Sequence, residues 1–302
     1  MITRPLKGII PVVITTLKND KSIDLISQKK LIRFLQKKKV GGFWCLGTGS
    51  EDMNLNFKKR LQLAKVLCQS NDGKLPLVLG AGFFCREETY EFIDSTKKFN
   101  FDAYHIMPYN PKLGVNLLKK YYIDIANYSP KPIWMYTSAN WCQPIKPDFV
   151  EELCKHKNIA GIKYSSSNTT DQLKVISLQN QKFQVITAVA SQLFASLAMG
   201  SIGSTSSLAS ALPEVLINIY NAYLTGNMRK GLKLQRDLIK FMKLLPQTIK
   251  KDNFLGGAEE KYILSLRNIC KPIMTDYYRS LNQIERKQVD IALKKSGYIE
   301  YL

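Results

Sequence analysis

The chain has 302 residues, 45% of them apolar, which is enough for one large barrel or two ordinary domains with packed cores. It contains no run of eighteen or more apolar residues and no apolar signal core near its start, so we expect neither a transmembrane helix nor secretion. The 6 cysteines are scattered and only 2 histidines occur, which disfavours a zinc site and is typical of free thiols in a reducing cytoplasm.

The formal net charge of +20 raises the possibility of a nucleic-acid partner. The excess is mostly lysine, spread over predicted helix faces such as residues 29–30, 37–39 and 119–120. No arginine–aromatic motif of a known RNA or DNA module occurs. We therefore expect a solvated, lysine-rich surface with some attraction for anionic metabolites, no specific nucleic-acid partner and no membrane partner.

Strand and helix signals alternate from the start of the chain. The predicted strands cover residues 8–15, 40–46, 75–80, 103–108, 132–136, 159–165, 183–190 and 201–206. Ser22 is the predicted N-cap of the first helix, and Asn56 begins the second. Eight strand–helix alternations within about 225 residues predict an α/β fold, a (β/α)8 TIM barrel.

The tail from about residue 228 has a purely helical pattern. Leu234, Leu238 and Phe241 belong to one of its apolar stripes. No linker rich in Gly, Pro or Ser precedes it. We predict a barrel catalytic domain over residues 1–226 and a C-terminal helical appendage over residues 227–302, packed on the barrel.

Lys163 is the central candidate for chemistry. It ends an apolar run in the sixth predicted strand, where burying an ammonium without a partner is costly. Burial lowers the pKa of a lysine and so supplies a neutral amine that can attack a carbonyl. The alternative is a strand-end lysine that reaches solvent. The carboxyl ends of parallel strands meet at one mouth, so Tyr136 and the turn at residues 47–51 are expected beside it.

These residue types form a coherent set for keto-acid chemistry. A lysine can form a Schiff base, a tyrosine can shuttle protons, and a Gly-Thr-Gly-Ser turn can bind a carboxylate through N–H groups and hydroxyls. The strand ends lack an acidic cluster for a metal, a histidine placed for a triad, and a phosphate-binding loop. We expect no metal and no organic cofactor.

The combined motifs resemble the dihydrodipicolinate synthase and N-acetylneuraminate lyase family of class I, Schiff-base pyruvate aldolases. The resemblance rests on the turn at residues 47–51, Tyr136, the Gly-Ile-Lys run at 161–163 and the Gly-Ser-Ile-Gly run at 200–203, all in the family's order. It covers nearly the whole chain. It implies a small-molecule 2-keto acid substrate and a homotetramer built as a dimer of dimers.

The resemblance also implies a role for each catalytic candidate. Lys163 matches the Schiff-base lysine, and Tyr136 matches the tyrosine that acts as general acid and base. Thr48 matches the hydroxyl residue that contacts the keto-acid carboxylate or relays protons. Glu51 closes the turn and is expected to be structural.

The candidate substrate-binding residues stand at or just beyond the strand ends. They are Gly49, Ser50, Asn110, Trp141, Ser165, Ala188, Thr205 and Ser206. Gly49 offers only its N–H where the family usually has a second hydroxyl, and Ser50 is the candidate replacement. Ser165 matches a small hydroxyl residue that lyases and sugar-acid aldolases place near the ligand.

Three positions depart from the family pattern in ways that concern the second substrate. Asn110 replaces a relay tyrosine that dihydrodipicolinate synthases lend to a neighbouring subunit. Trp141 replaces an arginine that grips the aldehyde's carboxylate, and an indole cannot make that bidentate pair. Ala188 stands where sugar-binding members have polar contacts, which predicts a less hydroxylated second substrate than sialic acid.

We therefore predict a Schiff-base lyase that cleaves or forms a C–C bond between pyruvate and an aldehyde, with a substrate of the 2-keto-3-deoxy acid type. Dihydrodipicolinate synthase and a sugar-acid dehydratase remain alternatives within the same chemistry. A non-catalytic barrel that binds a keto acid is an alternative of a different class, and the departures at Gly49 and Asn110 favour it. A nucleic-acid-associated protein recruited by its charge is the last.

Overall fold

The computed structural model describes residues 4–136, 142–253 and 256–302. Its strands are β1 (Gly8–Pro11), β2 (Phe43–Cys45), β3 (Leu77–Gly80), β4 (Ala103–Ile106), β5 (Ile133–Tyr136), β6 (Ile159–Tyr164), β7 (Gln184–Thr187) and β8 (Gly203–Ser206). They pair in parallel in the order β1-β8-β7-β6-β5-β4-β3-β2. A parallel bridge between Val12 and Trp44 joins β1 to β2, and so the sheet closes. The predicted (β/α)8 barrel is confirmed.

Helices follow the strands in alternation. They are α1 (Leu25–Lys37), α2 (Phe57–Asn71), α3 (Arg86–Thr96), α4 (Val115–Tyr128), α5 (Pro147–Leu153), α6 (Thr169–Ile176), α7 (Leu193–Ala198), α8 (Leu208–Ala211) and α9 (Pro213–Leu224). The strands are buried almost throughout because helices cover one face and the barrel interior covers the other. Ile10, Trp44, Trp134 and Ile186 belong to the interior cluster, so the barrel is filled with side chains.

The first two helix starts differ in how well the sequence predicts them. Asn56 caps α2 as predicted, since its side chain accepts from the Lys59 N–H at 2.9 Å. Ser22 does not cap α1. Asp24 does, accepting from the N–H groups of Ile26 and Ser27. The hydroxyl of Ser22 donates to Asp20 in the preceding turn, and a carboxylate suits the positive end of a helix better than a hydroxyl.

The remaining helices form the C-terminal part of the chain. They are α10 (Met228–Leu244), α11 (Thr248–Asn253), α12 (Ala258–Leu266) and α13 (Gln283–Lys295). The predicted division after residue 226 falls at a glycine with φ of +68°, between α9 and α10. None of the helices within the described ranges is long and apolar enough to cross a bilayer.

A buried ion pair crosses that division. Glu51, in the turn after β2, lies 2.5 Å from the ammonium of Lys261 on α12, and both side chains are buried. The same carboxylate accepts from the N–H and the hydroxyl of Thr275, at 2.8 and 2.7 Å. Glu51 also has a left-handed φ of 62°, which is uncommon for a residue other than glycine. The appendage is thus fastened to the turn that carries Thr48.

Candidate active site

Lys163 lies inside the barrel near the carboxyl end of β6. Its side chain is only 4% exposed. Its ammonium sits 3.9 Å from the ring centroid of Tyr136 and 5.3 Å from that of Trp44. Burial lowers the pKa of Lys163 to about 7, and the charge of Asp52 acts in the opposite direction. At neutral pH the uncharged fraction of the amine therefore rises from about one in three thousand to about one half.

The glycine of the Gly-Ile-Lys run has a steric role beneath the amine. A Cβ on Gly161 would lie 2.6 Å from the carbonyl of Gln184 and 2.8 Å from the ring of Trp134. A larger residue would require the backbone of β7 or the ring of Trp134 to shift. The absence of a side chain at Gly161 therefore lets β6 pack closely against β7 and against the ring of Trp134 on β5, in the strand that carries Lys163.

Tyr136 and Thr48 are joined by a buried hydrogen bond. The register of β5 against β6 pairs Tyr136 directly with Lys163. The phenol oxygen of Tyr136 lies 2.8 Å from the hydroxyl of Thr48, and either group can be the donor. Burial raises the pKa of Tyr136 and the Thr48 hydrogen bond partly opposes this, so the phenol is protonated at neutral pH. Three predicted catalytic residues are thus brought together.

Trp44 and His105 complete the aromatic surroundings of the amine. Their rings are stacked, with centroids 4.3 Å apart. The rings of Trp44 and Tyr136 are nearly perpendicular, with centroids 5.8 Å apart. The Nε2 of His105 lies 2.8 Å from the carbonyl of Cys45, which can only accept, so Nε2 carries the proton. Burial drives the pKa of His105 well below its usual value, and the charge of Lys163 adds to this. His105 is therefore neutral and adds no charge beside the amine.

The turn at residues 47–51 is held by its own hydrogen bonds. The N–H of Gly47 donates to the hydroxyl of Ser50, and the N–H of Ser50 donates to the carbonyl of Gly47. Ser50 is fully buried, so its hydroxyl is engaged within the turn. The N–H groups of Thr48 and Gly49 lie outside this network. A Cβ on Gly49 would be 3.2 Å from Val12, so the position has little room for a hydroxyl-bearing side chain.

The two candidates on β8 have different environments. Thr205 is fully buried and pairs in register with Ile10, a residue of the barrel interior. Its hydroxyl has no hydrogen-bond partner among the residues that the structure describes. Ser206 is half-buried, and its hydroxyl accepts from the Leu208 N–H at 3.2 Å, at the start of α8. Thr205 thus retains an unused polar group inside the barrel, whereas Ser206 serves the helix that follows.

The remaining candidates stand on the rim of the mouth. Ser165 and Ala188 are half-buried just beyond the ends of β6 and β7. Asn110 is also half-buried, and its side-chain oxygen accepts from the Lys112 N–H at 3.1 Å. It lines a cavity of about 310 Å³ together with Phe84 and other residues of the β3–α3 and β4–α4 regions. Trp141 lies outside the described residues.

Sequence reasoning missed a buried charged group next to this site. The Tyr109 hydroxyl lies 3.0 and 2.8 Å from the two carboxylate oxygens of Asp52. The guanidinium of Arg60, on α2, lies 3.8 Å from the same carboxylate, and both charged side chains are buried. The sequence signal was an acidic residue directly after the turn, with an arginine on the inward face of the next helix.

A closed parallel barrel with a buried, partly neutral amine beside a phenol is characteristic of a Schiff-base TIM-barrel enzyme. The profile of the Dihydrodipicolinate synthetase family matches residues 5–284. The chain belongs to this family, and the predicted family is confirmed. It is a class I, pyruvate-dependent aldolase or lyase, as the sequence predicted.

Individual relatives within the family carry different names. A 4-hydroxy-tetrahydrodipicolinate synthase of Methanosphaerula palustris is 28% identical over 260 residues, covering 83% of this chain and 89% of the relative. A probable 2-dehydro-3-deoxy-D-pentonate aldolase of Escherichia coli K12 is 27% identical over 239 residues, covering 77% of this chain and 79% of the relative. The crystal structure of an E. coli K12 prophage protein of the family, in complex with pyruvate, superposes with a TM-score of 0.88 at 22% identity. The superposition covers 96% of this chain and 98% of that protein.

Proposed function

We propose that this enzyme cleaves or forms 2-keto-3-deoxy acids, with pyruvate as the keto-acid product or substrate. In this proposal Lys163 is the Schiff-base lysine, Tyr136 is the general acid and base, and Thr48 positions the phenol. The observation that carries the proposal is the geometry around Lys163: a buried amine with a pKa of about 7 lies 3.9 Å from the ring of a tyrosine. That tyrosine is in turn held by Thr48.

The proposed reaction begins when the neutral amine of Lys163 attacks the keto carbon. The resulting carbinolamine takes up a proton and loses water, which leaves a cationic imine. Tyr136 then removes the proton of the C4 hydroxyl, the C3–C4 bond breaks, and its electrons flow into the imine to give an enamine and a free aldehyde. Protonation of the enamine at carbon and hydrolysis release pyruvate and the amine. Synthesis is the reverse sequence.

We assign the carboxylate of the keto acid to the turn and to β8. The N–H groups of Thr48 and Gly49 are not used by the hydrogen bonds of the turn itself. The hydroxyl of Thr205 is buried and lacks a partner among the described residues. Buried hydrogen-bond donors of this kind hold a carboxylate strongly. This assignment gives Thr205 a part in binding and leaves Ser50 and Ser206 with roles in the turn and at α8.

The proposed second substrate is a neutral hydroxyaldehyde. The rim residues Asn110, Ser165 and Ala188 offer one amide and one hydroxyl, which suits hydroxyl groups better than a second carboxylate. Arg86 and Lys120 also line the cavity beside Asn110, but both pair with Asp124. The similarity to a probable pentonate aldolase supports this choice. The similarity to a 4-hydroxy-tetrahydrodipicolinate synthase supports a second candidate, in which the aldehyde carries a carboxylate.

The test has two stages. Borohydride reduction of the protein with pyruvate, followed by peptide mass spectrometry, is expected to place one pyruvyl adduct on Lys163. A panel of 2-keto-3-deoxy sugar acids is then assayed for pyruvate release, beside a coupled assay with pyruvate and aspartate semialdehyde. Release from the panel with negligible turnover of aspartate semialdehyde supports the proposal. The opposite pattern supports the synthase.

Two further outcomes would change the assignment. An adduct without turnover of any aldehyde or keto acid would favour a barrel that only binds keto acids. No adduct on Lys163 with pyruvate or larger 2-keto acids would overturn the proposed role of this lysine. We also propose, from the family resemblance, that the protein assembles as a homotetramer, and sedimentation of the purified chain tests this.

A further inference from the structure

Asp52 and Arg60 form a charged pair in the interior, where such pairs are costly to keep. Their side chains are 1% and 3% exposed and lie 3.8 Å apart, too far for a hydrogen bond. The Nε and Nη2 atoms of Arg60 find no hydrogen-bond acceptor within the described ranges, and its guanidinium lies 3.7 Å from the ring centroid of Phe83. A buried, incompletely satisfied ion pair contributes little to stability. Its place beside the site therefore suggests a role in the chemistry.

The contacts of Asp52 favour its ionised form. The hydroxyl of Tyr109 lies within hydrogen-bond distance of both carboxylate oxygens, at 3.0 and 2.8 Å. Burial drives the pKa of Tyr109 well above its usual value, so this phenol is the donor. Burial raises the pKa of Asp52, while the charge of Arg60 and the Tyr109 hydrogen bond lower it. The pKa of Asp52 is raised overall, so Arg60 and Tyr109 offset only part of the desolvation of the carboxylate.

The carboxylate lies next to the predicted catalytic residues. Its hydrogen-bond partner Tyr109 belongs to the same interior cluster as Tyr136 and Trp44. Asp52 follows directly after the turn that carries Thr48. Its charge raises the pKa of Lys163 and of Tyr136. Lys163 and Tyr136 are buried among aromatic rings, which screen charge poorly. The charge of a buried carboxylate can therefore change their pKa values over a distance of several ångströms.

Imine formation changes the charge requirement of the site. Before the reaction, the uncharged form of Lys163, about half of the amine at neutral pH, needs no partner. The amine attacks the keto carbon, the carbonyl oxygen leaves as water after protonation, and the nitrogen becomes a cation in the same buried position. Such a cation is destabilised by burial unless a fixed anion lies close by.

We propose that Asp52, held between Tyr109 and Arg60, is a positioning residue that provides the counter-charge for the cationic imine on Lys163. The inference rests on the proposed function, because it concerns the imine that Lys163 forms. It adds a specific requirement, namely that the carboxylate matters more after imine formation than before it.

The test compares Asp52→Asn with a matched change at the other end of the barrel. Asn keeps the shape of the side chain and removes its charge. Asp102→Asn is the control, since Asp102 pairs with Arg4 at 2.7 Å just before the amino end of β4. Asp52→Glu restores the charge one methylene further out. For each variant, the fraction of Lys163 trapped by borohydride is measured against pyruvate concentration and pH, beside the thermal unfolding midpoint.

We expect Asp52→Asn to need about tenfold more pyruvate for half-maximal trapping, because the cationic imine is destabilised by about 1.4 kcal/mol for each factor of ten. The acidic limb of its pH profile should move to lower pH, because loss of the anion lowers the pKa of Lys163. Asp52→Glu should recover part of both effects. Asp102→Asn should lower only the unfolding midpoint.

The outcomes separate this inference from the proposed function. Normal trapping in the wild-type chain, with an unchanged concentration dependence and pH profile in Asp52→Asn, overturns the counter-charge role and leaves the proposed function intact. Absence of trapping in the wild-type chain overturns the proposed function itself. If Asp52→Asn does not fold, Asp52→Glu provides the test. Its displaced carboxylate should still shift the pyruvate concentration dependence and the pH profile of trapping. If neither shifts, the inference is refuted.

Discussion

On one side of the barrel mouth, Lys163, Tyr136 and Thr48 are buried, and Tyr136 contacts each of the other two. On the rim, Asn110, Ser165 and Ala188 are half-buried and follow three different strands. The first group is placed by strand register and held by packing, so its geometry cannot change without disturbing the barrel. The second group stands in connecting segments, which tolerate substitution. The difference indicates that imine chemistry is fixed in this chain while the choice of aldehyde can vary.

The largest effect should come from Lys163→Met on the fixed side. We expect loss of the pyruvyl adduct and a fall in turnover of at least about 10³-fold, because the nucleophile is removed. Stability should rise by on the order of 1 kcal/mol, or about 2 °C or more in Tm, since an apolar side chain replaces a buried amine. Residual trapping at another lysine, or an unchanged turnover, would show that the imine forms elsewhere.

Removing the Tyr136 hydroxyl should have the next largest effect. Tyr136→Phe keeps the ring over the amine and deletes the group bonded to Thr48, so kcat should fall by about 10²-fold or more through loss of proton transfer. Borohydride trapping with pyruvate should slow but persist. A useful control is Tyr128→Phe, whose phenol contacts Asp94 on the outer surface. Equal losses in the two variants would refute a proton-transfer role for Tyr136.

The pKa of Lys163, about 7, predicts the pH dependence of the fixed side. The value of kcat/KM should fall about tenfold per pH unit below pH 7, because only the neutral amine attacks. The unfolded lysine titrates near 10.5, so between about pH 7 and 10.5 the unfolded chain binds the extra proton. Stability should therefore rise with pH across that window, and Lys163→Met should remove this contribution. An acidic limb well below pH 6 would contradict the assignment.

The smallest effect should come from the rim. Ser165→Ala should raise KM for a 2-keto-3-deoxy acid by about two- to tenfold, since it removes one hydroxyl contact worth on the order of 1 kcal/mol. Trapping with pyruvate alone should be unchanged, because pyruvate lacks the part of the substrate that the rim contacts. The matched control is Ser177→Ala, whose hydroxyl donates to the carbonyl of Leu173 within α6. A loss of pyruvate trapping would move Ser165 from the rim to the keto-acid pocket.

The order of the strands and the position of Lys163 could be predicted because both depend on local sequence patterns. Apolar runs of strand length alternate with helical stripes, and parallel strands bring their carboxyl ends together whatever the loops contain. The likeness of the motifs to a known family then assigned Lys163, Tyr136 and Thr48 to one place. Their contacts at 3.9 and 2.8 Å agree with that placement.

The pair formed by Asp52 and Arg60 was not predictable, since nothing local distinguishes a buried carboxylate from an exposed one. The hydrogen-bond partner of each hydroxyl could not be predicted for a similar reason. Ser50 and Thr205 are both small polar residues near strand ends, yet one hydroxyl closes its own turn and the other faces the interior unpaired within the described residues. Which hydroxyls are consumed by backbone groups depends on turn geometry that emerges only in three dimensions.

The bond between Glu51 and the C-terminal helices has a consequence for how the enzyme is made. During synthesis the turn that carries Thr48 emerges early, whereas Thr275, which donates to Glu51, emerges 224 residues later. Until Lys261 and Thr275 arrive, Glu51 lacks the partners that hold it in the folded protein. We therefore expect the turn after β2 to reach its final structure only when α12 docks. We expect a nascent chain to gain activity late and abruptly, after the barrel sequence is complete.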